Sequence, residues 1–475
     1  MSRTLPATIR PGLVALAGRT PQSQKLVEKL LEEDRNTHHC FYEWVPFHNH
    51  LSHHLLSAYD MGAPAKVLQA IYDSAAAPLN PMGYGLGKNE FVQIDENNWF
   101  DYLGDEKYYA PLVPFFTAEV AANGGAKTLE KYIFSDYGNK DGRVMLRRMM
   151  GGSAHPLIQV GYAVEFGSDA TIATALAQVA VHVPHFEELF DFTPPDRSQK
   201  PISLLEIIRQ VYDSEILKPV MPYTDAPMSA RYREARKDGR PEEMCRLTSL
   251  WFSADENDAD LEKKIEELFW VSTLGLAGSG RRGRKPRMDF FLMHTLNAVH
   301  FLPSFVKIIP TLEWRIRLFR AFLPGMLMII TTRGRPRIDP ELVMTYTATP
   351  TPPGGLPKLN PDSSALGDPN DLDCVNPWSA IIDEVIHAPE AHIVKAIRTL
   401  YYAARTYGGT SAGNIPGSLK GTEETLVGIS KVDGTLFVRA AGVIMDSLGW
   451  VTHGDKERYW DRSALGWDDA WKDGD

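Results

Sequence analysis

The sequence predicts a mainly α-helical fold, because helical periodicity dominates it and alternating strand patterns are scarce. Apolar residues recur at i, i+3 and i+4 in the segments SQKLVEKLLEEDRN and DADLEKKIEELFWVSTLGLAG. The second segment also has acidic residues early and glycine near its end, which is typical of helix boundaries. Three further segments show helical patterns: SLLEIIRQVYDSEILKPV, ATIATALAQVAVHV and TLEWRIRLFRAFLPGMLMII.

We expect a single large domain over residues 1–475, with a core at about 20–445 and a C-terminal extension at 446–475. Residues 347–373 are rich in Pro, Gly, Asp and Ser, which predicts a long loop. Candidate functional residues lie on both sides of this loop and would have to converge in space. One continuous helical domain is therefore favoured over two independent ones.

Composition limits the classes of function that the chain can have. Its 475 residues are 44% hydrophobic and 23% charged, as in water-soluble globular proteins, and the net charge of −10 argues against a nucleic-acid partner or an anionic membrane surface. The three cysteines lie far apart, so a disulfide framework is not indicated and a cytoplasmic location is expected. No apolar run reaches the ~18 residues that predict a membrane span.

Four histidines occupy seven positions in the segment HNHLSHH. Pro46 suits the first position of a helix, and a helix starting there carries His50, His53 and His54 within roughly a third of its circumference, while His48 points elsewhere. Imidazole is the commonest metal-binding side chain, so a metal site is one interpretation of this stripe. Structural histidines that are partly exposed or hydrogen-bonded are the alternative.

Two further histidines are candidates because of their surroundings. His155 follows a Gly-Gly turn and precedes Pro156, which is expected to open the next helix; a residue before proline is held extended, so His155 would project from the helix entry. His294 lies in a predicted helix, and a satisfied core histidine is its alternative interpretation. It shares an apolar face with Phe290, Phe291, Ala298 and Phe301.

A predicted helix that starts near Pro389 carries His392, Lys395 and Thr399 on one stripe beside its apolar face. An ammonium group is expensive to bury, so an inward-facing lysine needs an explanation. One explanation is a snorkelling or ion-paired lysine. The other is a neutral amine that forms a carbamate with carbon dioxide and so supplies an oxygen ligand to a metal.

Several common motifs of catalytic sites are absent from the sequence. There is no HExxH, and the one Glu-x-x-His pair, Glu384 with His387, lacks the second pair that di-iron bundles use. The segment GSGRRG follows a predicted helix rather than a strand, which disfavours a dinucleotide site.

Four segments in this order resemble the questin oxidase family, from about residue 20 to about residue 445: FHNHLSHHLLSAYDMGAPAKVLQAIYD, GGSAHPLIQVGYAVEF, DFFLMH and AHIVKAIRTLYYAA. The resemblance implies an oxygen-dependent oxidoreductase of secondary metabolism that cleaves a ring C–C bond of an anthraquinone-type polyketide, with a Baeyer–Villiger-like outcome. It also implies dioxygen as a co-substrate. NADPH is a candidate because dependence on it has been attributed to some members.

The resemblance further implies a non-haem Fe(2+) site of four histidines and a carboxylated lysine. Carried over to this chain, the metal ligands are His155, His294, His392, Lys395 as the carbamate, and either His50 or His54. His53 is then a catalytic candidate beside the ligands or facing substrate, as is Lys395 itself.

Three other functions remain open at this point. The histidines could act as acids and bases in a metal-free, NADPH-dependent Baeyer–Villiger monooxygenase. They could instead stabilise a non-catalytic helical binding protein. A zinc hydrolase is weaker, because five ligands leave less room than the three-ligand plan of catalytic zinc.

Overall fold

Strands contribute very little to this protein. The computed structural model describes residues 5–42, 47–87, 92–193, 198, 200–219, 222–224 and 226–472. Within them the strands form two antiparallel pairs of two residues each: β1 (Phe41–Tyr42) with β2 (Phe47–His48), and β3 (Leu419–Lys420) with β4 (Glu423–Glu424). The remaining regular structure is helical, so the prediction of a mainly α fold is confirmed.

The chain divides into two compact units. The first comprises Met1–Thr193 and Phe301–Gly325, and the second comprises Pro194–His300 and Met326–Asp475. A division by packing does not establish that either unit folds on its own. The prediction of one continuous domain therefore stays a prediction.

The first unit is built around an apolar helix, α9, in which every residue from Ala170 to Val181 is buried. A helix that is apolar all round is expected to lie in a core, and α9 packs against α4 and α8. None of the described helices has both the length and the apolarity that a bilayer crossing needs. Numbered in chain order, the helices of this unit are α1 (Pro21–Thr37), α2 (Leu51–Asp60), α3 (Ala65–Ala76), α4 (Tyr109–Asn123), α5 (Gly125–Leu129), α6 (Asp136–Asn139), α7 (Met145–Met149), α8 (Gly151–Phe166), α9 (Asp169–Val181), α15 (Leu302–Ile308) and the first part of α16 (Leu312–Thr332).

The second unit centres on α14, which packs against both α13 and α19. The start of α13 matches its sequence signal: Asn257 caps the helix and Asp260 completes a capping box. The helices of this unit are α10 (Leu204–Asp213), α11 (Met228–Ala235), α12 (Arg240–Ser249), α13 (Asp258–Ala277), α14 (Phe290–Val299), the last part of α16, α17 (Pro340–Thr345), α18 (Trp378–Val385), α19 (Ala391–Tyr407) and α20 (Leu436–Leu448).

The long loop predicted at 347–373 is confirmed. Residues 346–371 contain neither helix nor strand, and a 3₁₀ turn at Leu372–Cys374 ends the segment. Most of the loop is exposed. Asn370 links two parts of the loop: its side chain accepts from the Leu359 amide at 2.7 Å and donates to the Leu359 carbonyl at 3.2 Å.

The helix predicted to start at Pro46 begins later than expected. Phe47 and His48 form β2, and α2 starts at Leu51 with His50 as its N-cap; Pro46 itself lies outside the described residues. The strand pair prevails because the Asn49 amide donates to the Cys40 carbonyl at 2.8 Å. The Asn49 side chain then accepts from the Leu51 amide at 2.8 Å, which favours starting the helix there.

Candidate active site

In the first unit, two of the predicted ligands face each other. His50, at the start of α2, and His155, in α8, have their Nε2 atoms 2.9 Å apart. Two ligands of one cation, each ~2.1 Å from it, are separated by about this distance. His155 Nδ1 donates to the Gly152 carbonyl at 2.5 Å, so its Nε2 carries a lone pair when the ring is neutral. The pair suits either a hydrogen bond or a shared cation.

The backbone before His155 is left-handed rather than extended. Gly152, Ser153 and Ala154 have φ values of 53°, 55° and 66°, and helical geometry resumes at His155, so the expectation of an extended His155 is wrong. The reversal brings the Gly152 carbonyl back onto the imidazole. Left-handed Ser and Ala cost roughly 1–2 kcal/mol each. Such strain is concentrated at functional sites.

Two histidines that sequence reasoning did not select lie beside this pair. The Nε2 atoms of His48 and His182 are 2.8 Å apart, and the His48 ring stacks on His155 with centroids 4.0 Å apart. Burial lowers the pKa of His182 to about 4. His48 was missed because the predicted helix start at Pro46 would point its side chain away from the other three histidines, whereas His48 lies in β2. His182 follows the last residue of α9, and that position was its only sequence signal.

The catalytic candidate His53 is 1% exposed and held by two residues of α8. Its Nε2 donates to Gln159 Oε1 at 2.6 Å, and its ring stacks on Tyr162 with centroids 4.9 Å apart. The Tyr162 hydroxyl is hydrogen-bonded to Ser57, one turn further along α2. His54 is also buried in α2. All ten residues of α2 are buried, so His53 and His54 do not lie on an exposed face.

In the second unit, α14 and α19 bring three predicted residues into one buried environment. His294, His392 and Lys395 are 0%, 5% and 3% exposed, and the two imidazole centroids are 4.8 Å apart. His294 Nδ1 donates to the Phe290 carbonyl at 2.7 Å. His392 Nδ1 is bonded to Glu390, the N-cap of α19. Each ring therefore has its Nε2 as the acceptor nitrogen when neutral.

Burial lowers the pKa of each of these three groups. It lowers the pKa of His294 well below its usual value, helped by His392 and Lys395, and it lowers the pKa of His392 against the opposing effect of Glu390. It also lowers the pKa of Lys395 to about 7, despite the nearby Glu390 carboxylate. Among the described residues, Lys395 Nζ has no hydrogen-bond partner. A large share of this amine is therefore neutral at physiological pH.

Glu390 is a site residue that sequence reasoning did not select. Burial opposes its ionisation, but the charge of His392 and hydrogen bonds from His392 and Trp460 hold its pKa well below the usual value. Trp460 Nε1 donates to Glu390 Oε2 at 2.8 Å. A carboxylate behind an imidazole orients the ring and raises its basicity. The signal in the sequence was the spacing Glu-x-His at a helix start.

Comparison with known proteins identifies the family of this chain. The sequence profile of the questin oxidase-like family matches residues 47–400, which include all the predicted site residues. The chain is 29% identical to the oxidoreductase AflY of Aspergillus parasiticus, over 84% of this chain and 76% of that protein. It is 26% identical to the questin oxidase of Aspergillus terreus over 78% of each chain, and 26% identical to the Baeyer–Villiger monooxygenase dmxR6 of Cryptosporiopsis sp. over 82% of this chain and 83% of that protein.

The protein therefore belongs to the questin oxidase-like family, and the predicted resemblance is confirmed. Its named relatives are oxidases and monooxygenases, which makes an oxidoreductase the class of enzyme. The assignment of individual ligands stays a prediction.

Lys395 should make stability depend on pH in metal-free, CO2-free protein. Between the folded pKa of about 7 and the ordinary value of 10.5, the unfolded chain holds a proton that the folded protein lacks. The unfolding free energy of the wild type should then rise with pH, relative to Lys395→Met, by about 1.4 kcal/mol per pH unit. Urea unfolding at pH 7 to 10 measures the difference. Lys285 is exposed, so Lys285→Met is the control and should keep the pH dependence of the wild type. If the unfolding free energies of the wild type and of Lys395→Met changed with pH in the same way, the lowered pKa of Lys395 would be contradicted.

Gly152→Ala should destabilise the protein more than its backbone conformation alone explains. A Cβ there would lie 2.7 Å from His182 and 2.9 Å from His48 ring atoms. Gly142 is a matched control, because its φ is also positive, at 78°, and no atom lies within 4 Å of its Cβ position. We expect Gly142→Ala to cost roughly 1 kcal/mol and Gly152→Ala at least ~1 kcal/mol more in thermal unfolding. Equal losses of stability in the two variants would contradict the prediction, because they would show that the His48 and His182 rings can move aside without cost.

Proposed function

We propose that this protein is an oxygen-dependent oxidase that cleaves a ring C–C bond of an anthraquinone-type polyketide, using non-haem iron bound by His50, His155, His294, His392 and Lys395. The observation that carries the proposal is Lys395, a fully buried amine with a pKa of about 7 and no hydrogen-bond partner among the described residues. Family membership and the names of the relatives support the class of reaction.

Lys395 fits a metal ligand better than a structural residue. A neutral lysine amine attacks carbon dioxide, its nitrogen bonds to the carbon, and one nitrogen-bound proton leaves to solvent. The carbamate product carries one negative charge and two oxygen donors. An uncompensated anion would be costly at this buried position, and a bound cation removes that cost.

The imidazoles also fit, because a metal ligand must be neutral and must present a lone pair. Burial lowers the pKa of His294 and of His392, and the Nδ1 of each ring is already occupied. His50 is proposed rather than His54, because its Nε2 lies 2.9 Å from that of His155. Imidazole and oxygen donors together suit iron.

Other residues of the chain would orient the substrate and handle protons. His53 has its Nε2 proton on Gln159, so its Nδ1 is basic when the ring is neutral and can take a proton from a substrate hydroxyl. Tyr162, stacked on His53, keeps the ring in one plane. The burial of these groups excludes water from the reacting centre. Iron, when bound, would supply the binding and activation of dioxygen.

The metal is tested by elemental analysis of the purified protein and of its variants. His155→Ala and Lys395→Ala should each reduce the iron content by at least about tenfold and lose oxygen uptake with a reduced anthraquinone. His38→Ala is the control, because His38 pairs with Asp34 outside the proposed ligand set. Full iron content and undiminished uptake in both ligand variants would refute the iron proposal.

A second candidate is a metal-independent, NADPH-dependent Baeyer–Villiger monooxygenase. The name of the Cryptosporiopsis relative supports the monooxygenase part of this candidate. Activity that survives exhaustive chelation and strictly requires NADPH would establish it. A binding protein without catalysis predicts neither bound metal nor oxygen uptake. Dependence on NADPH, dioxygen as co-substrate and a cytoplasmic location stay predictions.

A further inference from the structure

Three consecutive residues near the C-terminus, Trp460, Asp461 and Arg462, contact the starts of both histidine-bearing helices of the second unit. We call residues 460–462 the C-terminal strap. They lie outside the region that the family profile matches, residues 47–400, and inside the segment expected to be a mere extension.

On the α19 side, the strap holds the carboxylate that orients His392. Glu390 Oε1 is bonded to His392 Nδ1. Glu390 Oε2 accepts from Trp460 Nε1 at 2.8 Å and from the His392 amide at 3.1 Å. Both oxygens of the carboxylate are therefore occupied, and the indole fixes the side that faces away from the imidazole.

On the α14 side, the strap holds the residue whose carbonyl orients His294. The Phe290 amide donates to the Asp461 carbonyl at 2.8 Å, and the Asp461 amide donates to the Met288 carbonyl at 2.7 Å. The Arg462 guanidinium lies 4.2 Å from the centre of the Phe290 ring. The Phe290 carbonyl then accepts from His294 Nδ1.

The strap is itself anchored by charge. Arg287 Nε donates to Asp461 Oδ2 at 2.7 Å, with the two side chains 22% and 16% exposed. Asp461 Oδ1 accepts from the Ser463 amide at 2.8 Å. A partly buried aspartate whose two oxygens both accept hydrogen bonds holds its backbone more firmly than an exposed pair would.

We propose that the C-terminal strap is a positioning element for His294 and His392. By holding the acceptors of both Nδ1 protons, it selects one tautomer in each ring and leaves each Nε2 as the metal-facing lone pair. The consequence for metal binding rests on the proposed iron site, whereas the tautomer selection does not.

Trp460→Phe tests the α19 side, because it removes the indole N–H and keeps an aromatic ring. Trp450→Phe is a closely matched control, since buried Trp450 also donates from Nε1 to a carboxylate, Asp446, at 2.8 Å in the same segment. For the α14 side, Asp461→Ala removes the Arg287 anchor. Its control is Asp455→Ala, which removes a more exposed ion pair with Arg458 and a hydrogen bond from the Trp450 amide.

The first readout uses metal-free protein with ¹⁵N-labelled histidine, whose spectra report the protonated nitrogen of each ring. Wild type should show His294 and His392 protonated at Nδ1. Trp460→Phe should convert the His392 signal to a tautomer mixture, and Asp461→Ala the His294 signal, while both controls keep the wild-type pattern. Unchanged tautomers in Trp460→Phe and Asp461→Ala would overturn the inference.

The second readout is iron release to a chelator. The two strap variants should release iron about 10- to 100-fold faster than wild type, and the controls at the wild-type rate. Equal acceleration in variants and controls would show general destabilisation and overturn the positioning role. Wild-type protein that binds no iron would refute the proposed function. The tautomer spectra would still test whether the C-terminal strap positions His294 and His392.

Discussion

The hydrogen bonds made by the Nδ1 atoms of three buried histidines are the constraint on which the site depends. His155 donates to the Gly152 carbonyl, His294 to the Phe290 carbonyl, and His392 is bonded to the Glu390 carboxylate. A buried imidazole without such a partner could rotate or change tautomer. With it, each ring is oriented and its Nε2 is the acceptor. Unusual local structure supports each acceptor, including a left-handed turn, a helix start and a cap.

Burial also lowers the pKa of His294 and of His392. An environment of α14 and α19 side chains disfavours cations, so a large share of Lys395 is a neutral amine near pH 7 and the pKa of His294 lies well below its usual value. Glu390 keeps its negative charge in the same environment, because its carboxylate accepts hydrogen bonds from His392 and from Trp460. Neutral nitrogen donors beside one supported carboxylate are the surroundings that the proposed metal site requires.

Most of the missed residues share one property, which is that their roles arise from contacts between distant segments. Gln159 matters because α8 lies beside α2, and Trp460 because a C-terminal segment returns to Glu390. Neither residue has a local pattern that marks it. His48 was missed for a different reason. Its direction was predicted for a helix that includes residue 48, but His48 lies in β2, which pairs with β1.

Sequence alone determined the helical class, the long loop after Thr347 and the inward position of Lys395 on α19, because helical period and turn composition are local properties. It also determined the family, through four short segments in order. Tertiary structure decided where α2 begins, which imidazole faces His155, and how Glu390 and Trp460 stand behind His392. These features depend on which backbone groups meet across the fold, and the periodicity of one segment carries no information about its partners.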